Sequence, residues 1–227
     1  MADCCSGGGC PMYDREFDER SARRKLAELR KHGPPDTTVS LIETLSAGGI
    51  EGATVLDIGA GVGAVHLALL ERGAASATDV DASAAYVAAA REEAIRRGVG
   101  HRVRHITGEF VATAPDLAAA DLVALDRVVC CYDDVTALVS AAAKLARRRL
   151  GLVYPVDRWW TRLGIQAENL WQAARREPFR AFVHPTTTVD RLIREQGLQP
   201  SEARSGFIWQ LAVYERIVSA DVSAGSR

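Results

Sequence analysis

The sequence has almost no net charge. Its 227 residues include 28 basic and 29 acidic side chains, which gives a formal net charge of -1. A protein that binds nucleic acid through the phosphate backbone needs a clustered positive surface. The charge balance therefore argues against a nucleic acid partner. Hydrophobic residues at 48% and charged residues at 25% are ordinary globular values, which excludes disorder over the whole chain.

Long hydrophobic runs are also missing. The most apolar stretch, around residues 118–125, is interrupted by Asp121 and is much shorter than the roughly 18 residues that a bilayer span requires. The first residues lack the basic and apolar regions of a secretory signal. We therefore expect no membrane partner and a cytoplasmic location.

Cysteines are few and poorly placed for disulfides. The five are Cys4, Cys5, Cys10, Cys130 and Cys131, an odd number that includes two adjacent pairs. This arrangement indicates reduced thiols rather than a disulfide framework. Because no spaced cysteine pair or nearby histidine completes a tetrahedral set, we expect no metal site.

Composition divides the chain into four segments. Residues 1–12 are rich in glycine and cysteine and predict a flexible leader. Residues 13–52 contain two amphipathic helical patterns separated by a Gly-Pro-Pro turn, and we interpret them as a helical lid. Residues 53–218 form the main domain, and the small polar residues 219–227 predict a frayed tail.

In the main domain, short apolar strands alternate with helices. Such alternation requires parallel strand pairing with right-handed crossovers, so we predict a Rossmann-like α/β fold. Its seven-stranded, mostly parallel sheet would have helices on both faces and an antiparallel last strand. The predicted strands are 54–58, 76–80, 103–107, 122–125, 150–154, 199–204 and 208–217. The predicted helices are 63–72, 84–97, 135–148, 159–174 and 189–196.

A glycine-rich turn follows the first predicted strand, at Asp57-Ile58-Gly59-Ala60-Gly61-Val62-Gly63. Glycines allow a ligand to approach the backbone more closely than any Cβ permits. Open α/β folds bind ligands at this carboxyl edge of the sheet. The glycine spacing leaves two cofactor classes open, because Gly59-x-Gly61-x-x-Ala64 also fits the looser dinucleotide pattern. Asp57 favours a cationic ligand, since a carboxylate here would repel a pyrophosphate and attract the ammonium and sulfonium of S-adenosylmethionine.

The motif Asp-x-Gly-x-Gly-x-Gly resembles motif I of the class I S-adenosylmethionine-dependent methyltransferases, and the resemblance extends over roughly residues 35–218. Val80-Asp81-Ala82-Ser83 resembles the acidic end of the second strand, where a carboxylate accepts both ribose hydroxyls. Gly108-Glu109-Phe110 resembles the turn where an acid and the next backbone N–H read the adenine. The resemblance implies a cofactor site made of Asp57, Gly59, Ala60, Gly61, Gly63, Asp81, Ala82, Glu109, Phe110, Asp126 and Arg127.

The segment from Leu125 to Tyr132 resembles the stretch after strand four in this class. More distantly, it resembles that of the magnesium-protoporphyrin O-methyltransferases, which also ends in a tyrosine. Asp126 and Arg127 are then expected near the methionine end of the cofactor. We predict that aromatic side chains wall the acceptor pocket. These are Tyr132, Tyr154, Trp159 and Trp160.

The expected activity is methyl transfer to a small-molecule acceptor by in-line displacement. Oxygen is the expected acceptor atom, because the magnesium-protoporphyrin O-methyltransferases that the segment distantly resembles methylate a carboxylate. No Asn-Pro-Pro-Tyr signature of amide or base methylation is present, which argues against DNA as the substrate. His184 is predicted as the base that removes the acceptor proton. Two alternatives stay open: a non-catalytic S-adenosylmethionine-binding module and an NAD(P)-dependent oxidoreductase.

Overall fold

A seven-stranded sheet forms the centre of the computed structural model, which describes residues 16–217. The predicted leader (1–12) and frayed tail (219–227) lie outside the described residues. The strands are β1 (Thr54–Ile58), β2 (Ser76–Asp81), β3 (Val103–Thr107), β4 (Ala120–Asp126), β5 (Ala146–Pro155), β6 (Leu198–Ser205) and β7 (Trp209–Arg216). Their order across the sheet is β3-β2-β1-β4-β5-β7-β6.

Helices cover both faces of this sheet. They are α1 (Glu19–His32), α2 (Asp36–Ser46), α3 (Ala64–Glu71), α4 (Ala84–Arg96), α5 (Phe110–Thr113), α6 (Val135–Leu145), α7 (Trp159–Ala174) and α8 (Thr186–Glu195). None of these helices of residues 16–217 has both the length and the apolarity needed to cross a membrane.

Strand pairing confirms the predicted fold class. β1 to β5 pair in parallel, whereas β7 is antiparallel to both β5 and β6. The strand order reverses at β1, which lies between β2 and β4. In an open α/β sheet this reversal leaves a crevice at the carboxyl ends of the strands. The fold therefore places the ends of β1, β2 and β4 around one crevice.

Two helix boundaries were predicted wrongly: α8 begins at Thr186 instead of residue 189, and α6 ends early. The helical spacing after Val135 suggested a helix to residue 148, but α6 ends at Leu145 and β5 begins at Ala146. β5 pairs with β4 from Ala146 onward and with β7 from Arg149 onward. Pairing of Ala146 with β4, and pairing of β5 on both sides from Arg149 onward, fixes this segment as a strand, and this tertiary gain outweighs its local helical pattern.

The predicted lid segment, residues 13–52, contains two helices with different packing. α1 rests on α4, with Ala22 and Leu26 against Tyr86. α2 instead packs directly on the sheet: a Cβ on Gly151 of β5 would lie 2.5 Å from Leu41 Cδ1. α2 is therefore part of the core, and α1 is the element that is free of the sheet.

Candidate active site

A cavity of about 680 Å³ lies at the carboxyl edge of the sheet. Its lining comes from the residues that follow β1, β2, β3 and β4, and from α1 together with the turn after it. This volume falls in the usual range for a small-molecule site, roughly 300–1,000 Å³. The strand-order reversal at β1 is thus the place where a ligand can bind.

The glycine loop after β1 forms one wall of the cavity. Gly59, Gly61 and Gly63 all have positive φ, at 61°, 57° and 85°. A Cβ on Gly59 would lie 2.5 Å from Val128 Cγ2, and one on Gly63 would lie 2.8 Å from His66 Cε1. The first and third glycines are therefore required by contacts within the protein, in addition to any ligand contact that the sequence predicted.

Asp57 lies beneath this loop with 1% of its surface exposed. Its Oδ2 accepts a hydrogen bond from the His66 backbone N–H at 3.2 Å and lies 2.9 Å from His66 Nδ1. Burial raises the pKa of Asp57, and the hydrogen bonds from His66 oppose part of that rise. The carboxylate that we predicted would attract a cationic ligand is thus hydrogen-bonded to a buried histidine near the start of α3.

Asp81, at the end of β2, faces the cavity. Its Oδ2 accepts a hydrogen bond from Gly61 N at 2.9 Å, and its Oδ1 accepts one from Ser83 N at 2.8 Å. A carboxylate oxygen has two acceptor sites, so each oxygen can still accept a hydroxyl. Burial raises the pKa of Asp81 to about 6. The other β2 carboxylate, Asp79, is fully buried and pairs with His105 at 2.7 Å.

The turn after β3 contributes Gly108 and Phe110 to the cavity wall. The Glu109 carboxylate instead caps α5, accepting hydrogen bonds from Val111 N at 2.8 Å and Ala112 N at 2.7 Å. It also accepts a hydrogen bond from the hydroxyl of Tyr132, and Tyr132 itself lines the cavity. The adenine-reading role predicted for Glu109 would therefore compete with three existing hydrogen bonds.

Asp126 and Arg127 line the opposite side, where β4 ends. Asp126 Oδ2 accepts a hydrogen bond from Thr38 Oγ1 at 2.6 Å, while its buried Oδ1 has no hydrogen-bond partner within residues 16–217. Burial raises the pKa of this carboxyl. Among these residues, Oδ1 makes only a long ion pair with Arg127 Nε, at 4.0 Å, which leaves Asp126 suitable for an ammonium group, as predicted for the methionine end of the cofactor.

Arg127 has an unusual backbone conformation, with φ of 62°. A left-handed conformation costs a residue with a Cβ roughly 1–2 kcal/mol and often marks a functional site. The guanidinium donates to Thr37 Oγ1 at 3.0 Å and lies 4.9 Å from the centre of the Trp209 ring. These contacts hold a cationic group at the cavity wall.

α1 supplies cavity residues that the sequence interpretation did not name. They are Lys25, Glu28, Leu29 and His32. Their spacing of three, four and seven residues puts them on one helical face, a signal that could have identified them. Arg30 holds α1 in place through Glu93 at 2.9 Å and Glu92 at 2.7 Å, on α4.

Comparison with known proteins identifies the kind of domain that carries this cavity. A family model described as "Methyltransferase domain" matches residues 55–149, from the start of the glycine motif's strand into β5. The matched segment contains Asp57, the glycine loop, Asp81 and Asp126. The chain contains a class I, S-adenosylmethionine-dependent methyltransferase domain. No curated protein sequence matches the chain significantly.

Solved structures similar to this methyltransferase share its fold at low sequence identity. The magnesium protoporphyrin IX methyltransferase of Synechocystis PCC 6803, with bound S-adenosylhomocysteine, is 20% identical with a TM-score of 0.69, covering 89% of this chain and 98% of that one. An O-methyltransferase family protein from Burkholderia thailandensis is 19% identical with a TM-score of 0.69, covering 92% and 64%. The mitomycin 7-O-methyltransferase is 18% identical with a TM-score of 0.63, covering 90% and 60%.

Three of the aromatic residues predicted to wall the pocket of the methyltransferase do not line the cavity. Tyr154 is 1% exposed within the core, because strand alternation in β5 turns it away from the crevice. Trp159 is 72% exposed, and Trp160 stacks on Phe207 in the turn before β7. Tyr132 alone of the four lies at the cavity.

The position of His184 in the structure also does not fit the base that we predicted. Its Nε2 lies 2.7 Å from the backbone oxygen of Tyr132, to which it must donate, and its ring stacks on Phe182. The imidazole is not part of the cavity lining. His184 therefore supports the segment that carries Tyr132, and within residues 16–217 the histidine at the cavity surface is His32.

Cys131 reaches the cavity as well. The neighbouring Cys130 thiol and burial raise the pKa of Cys131 well above its usual range. The group is therefore a neutral thiol, suited to contact with a ligand and unsuited to nucleophilic attack.

Proposed function

We propose that this methyltransferase transfers the methyl group of S-adenosylmethionine to an oxygen of a small-molecule acceptor by in-line displacement. One observation carries the proposal: a single cavity joins the carboxyl edge of β1, β2 and β4 to α1. Cofactor and acceptor can then share one enclosed space. Two proteins of similar structure are methyltransferases named for small molecules, magnesium protoporphyrin IX and mitomycin, which supports this acceptor class.

The residues at the carboxyl edge fit the cofactor. The ribose hydroxyls can donate to Asp81, the adenine can pack on Phe110, and the ammonium can donate to the unsatisfied Oδ1 of Asp126. When bound, S-adenosylmethionine supplies a methyl group activated by the sulfonium. The protein's task is therefore to orient the acceptor oxygen toward that methyl group and to exclude water.

The acceptor would occupy the part of the cavity beneath α1. Leu29 and Tyr132 offer apolar surface there, whereas Lys25, His32 and Arg127 offer polar contacts. We propose His32 as the group that receives the acceptor proton, since it is the histidine that lines the described cavity. Orientation can supply about 7–11 kcal/mol of barrier reduction, compared with roughly 3–5 kcal/mol for a base that accelerates 10²- to 10⁴-fold. Placement by α1 is thus the larger contribution.

A transfer assay with radiolabelled S-adenosylmethionine tests the proposal. The acceptor panel would contain carboxylic acids and phenols of planar small molecules, with amines as the comparison class, and NMR of the product would identify the methylated atom. Asp81→Ala should remove transfer through loss of cofactor binding. Cofactor binding without transfer to any acceptor would favour a non-catalytic module. A preference for NADH in calorimetry would favour an oxidoreductase.

A further inference from the structure

The helix α7 turns its polar side toward the protein. Its inward positions, spaced three and four residues apart, are Thr161, Ile165, Asn169 and Gln172. Thr161 and Gln172 are each 5% exposed, and their side-chain oxygens have no hydrogen-bond partner within residues 16–217. Asn169 exchanges two hydrogen bonds with the backbone of Ala181, at 2.8 and 2.9 Å. This arrangement is the reverse of a surface helix of a globular protein, which buries its apolar side.

The outward side of α7 is apolar. Trp159, Leu163, Leu170 and Trp171 are 72%, 58%, 74% and 59% exposed, and all four lie within about 120° of arc around the helix. In the turn between β6 and β7, Phe207 and Ile208 extend the same surface, because Trp160 of α7 stacks on Phe207. We call these six exposed residues the α7 patch: Trp159, Leu163, Leu170, Trp171, Phe207 and Ile208. A contiguous exposed apolar surface of this kind marks an interaction site.

Arginines border the α7 patch. The Arg158 guanidinium lies 5.6 Å from the centre of the Trp160 ring, and that of Arg175 lies 4.5 Å from the centre of the Trp171 ring. Arg162 pairs with Asp157 at 2.7 Å, whereas Arg158 and Arg175 have no ion pair with a carboxylate of residues 16–217. The rim of the patch therefore carries two arginines without a carboxylate partner in the described part of the chain, whereas Glu168, also exposed on α7, is the acidic residue of this helix.

The remaining parts of the chain are poor candidates to cover the patch. In sequence, residues 1–15 and 218–227 are mostly small or polar, and their larger apolar residues are scattered. A second copy related by a two-fold axis would bring the same arginines of both copies toward each other. An anionic lipid surface avoids both problems. Tryptophan and leucine side chains can enter the headgroup boundary while arginines reach lipid phosphates.

We propose that the α7 patch docks this methyltransferase onto an anionic lipid surface. The earlier expectation of no membrane partner came from the absence of a spanning segment, and an interfacial helix needs no such segment. The patch lies on the same side of the sheet as the cavity, at the carboxyl ends of the parallel strands. α7 follows the carboxyl end of β5, where Pro155 pairs with Trp209. Trp209 also contacts Arg127 of the cavity wall. Docking would therefore bring the acceptor side of the cavity close to the lipid.

Intrinsic fluorescence of the full chain reports on this patch directly. The four tryptophans are Trp159, Trp160, Trp171 and Trp209, all on α7 or at the start of β7. Vesicles of phosphatidylcholine with phosphatidylglycerol should shift the emission to shorter wavelength, and brominated acyl chains should quench it. Added salt should weaken the association. Unchanged emission with anionic vesicles, or equal association with pure phosphatidylcholine vesicles, would overturn the proposal.

A double variant, Leu163→Ser with Leu170→Ser, tests the apolar contribution. Its vesicle association should fall by at least about tenfold, because two leucines no longer enter the lipid. Ile95→Ser is the matched control, since Ile95 is 67% exposed on α4, away from the patch, and its loss should leave association unchanged. S-adenosylhomocysteine affinity checks that both variants fold. Association unchanged in the double variant would contradict the proposal. So would a dimer that this variant converts to a monomer, which would assign the patch to a second copy.

Discussion

Lowering the pH from 8 to 5 should weaken cofactor binding about tenfold through protonation of Asp81. Burial raises the pKa of this carboxyl from 3.8 to about 6. Ribose hydroxyls donate to the ionised form, so the binding-competent fraction falls as pH drops through 6. One pH unit below the pKa about one-tenth of the protein is ionised, and the apparent Kd rises by the inverse of that fraction.

The same pKa shift has the opposite effect on the folding stability of the ligand-free protein, which is higher at low pH. A carboxyl whose pKa is raised in the folded state contributes stability that is fully present below its unfolded pKa and is lost as pH rises to the folded pKa. For Asp81 that window runs from 3.8 to about 6, and the cost of ionisation is on the order of 3 kcal/mol. Cofactor hydroxyls would compensate part of this cost, which is why the group is suited to binding.

Calorimetry with S-adenosylhomocysteine at pH 8, 7, 6 and 5 measures the effect, because this ligand keeps the ribose hydroxyls and has no methyl group to transfer. Asp81→Asn should bind weakly with a flat pH profile. Asp79→Asn is the control on the same strand: it pairs with His105 and its charge is a minor cause of the raised pKa of Asp81, so its profile should keep the pH-dependent loss and move only slightly to lower pH. A constant wild-type Kd between pH 8 and 5, or the same slope in Asp81→Asn, would refute the role of Asp81.

Three further outcomes follow from the site and its supports. Gly59→Ala should lower the free energy of unfolding in urea by about 1–3 kcal/mol, because φ at this position is 61° and the new Cβ would lie 2.5 Å from Val128 Cγ2. Adding Val128→Ala should recover part of the loss. No recovery would contradict the steric reason. The buried Glu93 has a pKa lowered to about 2, first by Arg96, so it stabilises the fold above pH 4.5 and loses this effect as pH falls toward 2. In Glu93→Gln, the loss of unfolding free energy between pH 4.5 and 2 should therefore be smaller than in the wild type by up to about 2 kcal/mol. An equal loss in both proteins would exclude this ion network as the cause of the acid sensitivity. His32→Ala should reduce kcat about 10²- to 10⁴-fold with an unchanged cofactor Kd, while a comparable loss in His184→Ala would instead restore the original assignment of the base.

The order of strands and helices could be read from the chain because it depends on local patterns. Short apolar runs separated by helical spacing predicted β1 to β5, and their parallel pairing followed from the connection lengths. β6 and β7 were predicted as an antiparallel pair because they are close in sequence. The end of α6 was an exception. Residues 146–148 fit a helix locally, but pairing of Ala146 with β4 and of β5 with both neighbours from Arg149 onward decided their conformation.

The cofactor side of the cavity was also accessible from the sequence, because its residues lie directly after strands. A loop such as that of Gly59, Gly61 and Gly63 is contiguous in the chain, and Asp81 follows β2 at a predictable point. The partner of Asp57 was less accessible. His66 lies nine residues away, and only the packing of α3 on β1 brings the two side chains together at 2.9 Å.

The sequence by itself determined the fold class, the position of the glycine loop and the chemistry of the carboxylates, since each depends on residue type and spacing along a few turns or strands. The tertiary structure alone decided which side chains face the cavity. Tyr154 and His184 are excluded from it, and Lys25 and His32 are included, because the orientation of a strand and the docking of α1 on α4 arise from contacts between segments distant in the chain. Side-chain direction toward a shared cavity is a property of packing, and local periodicity does not contain it.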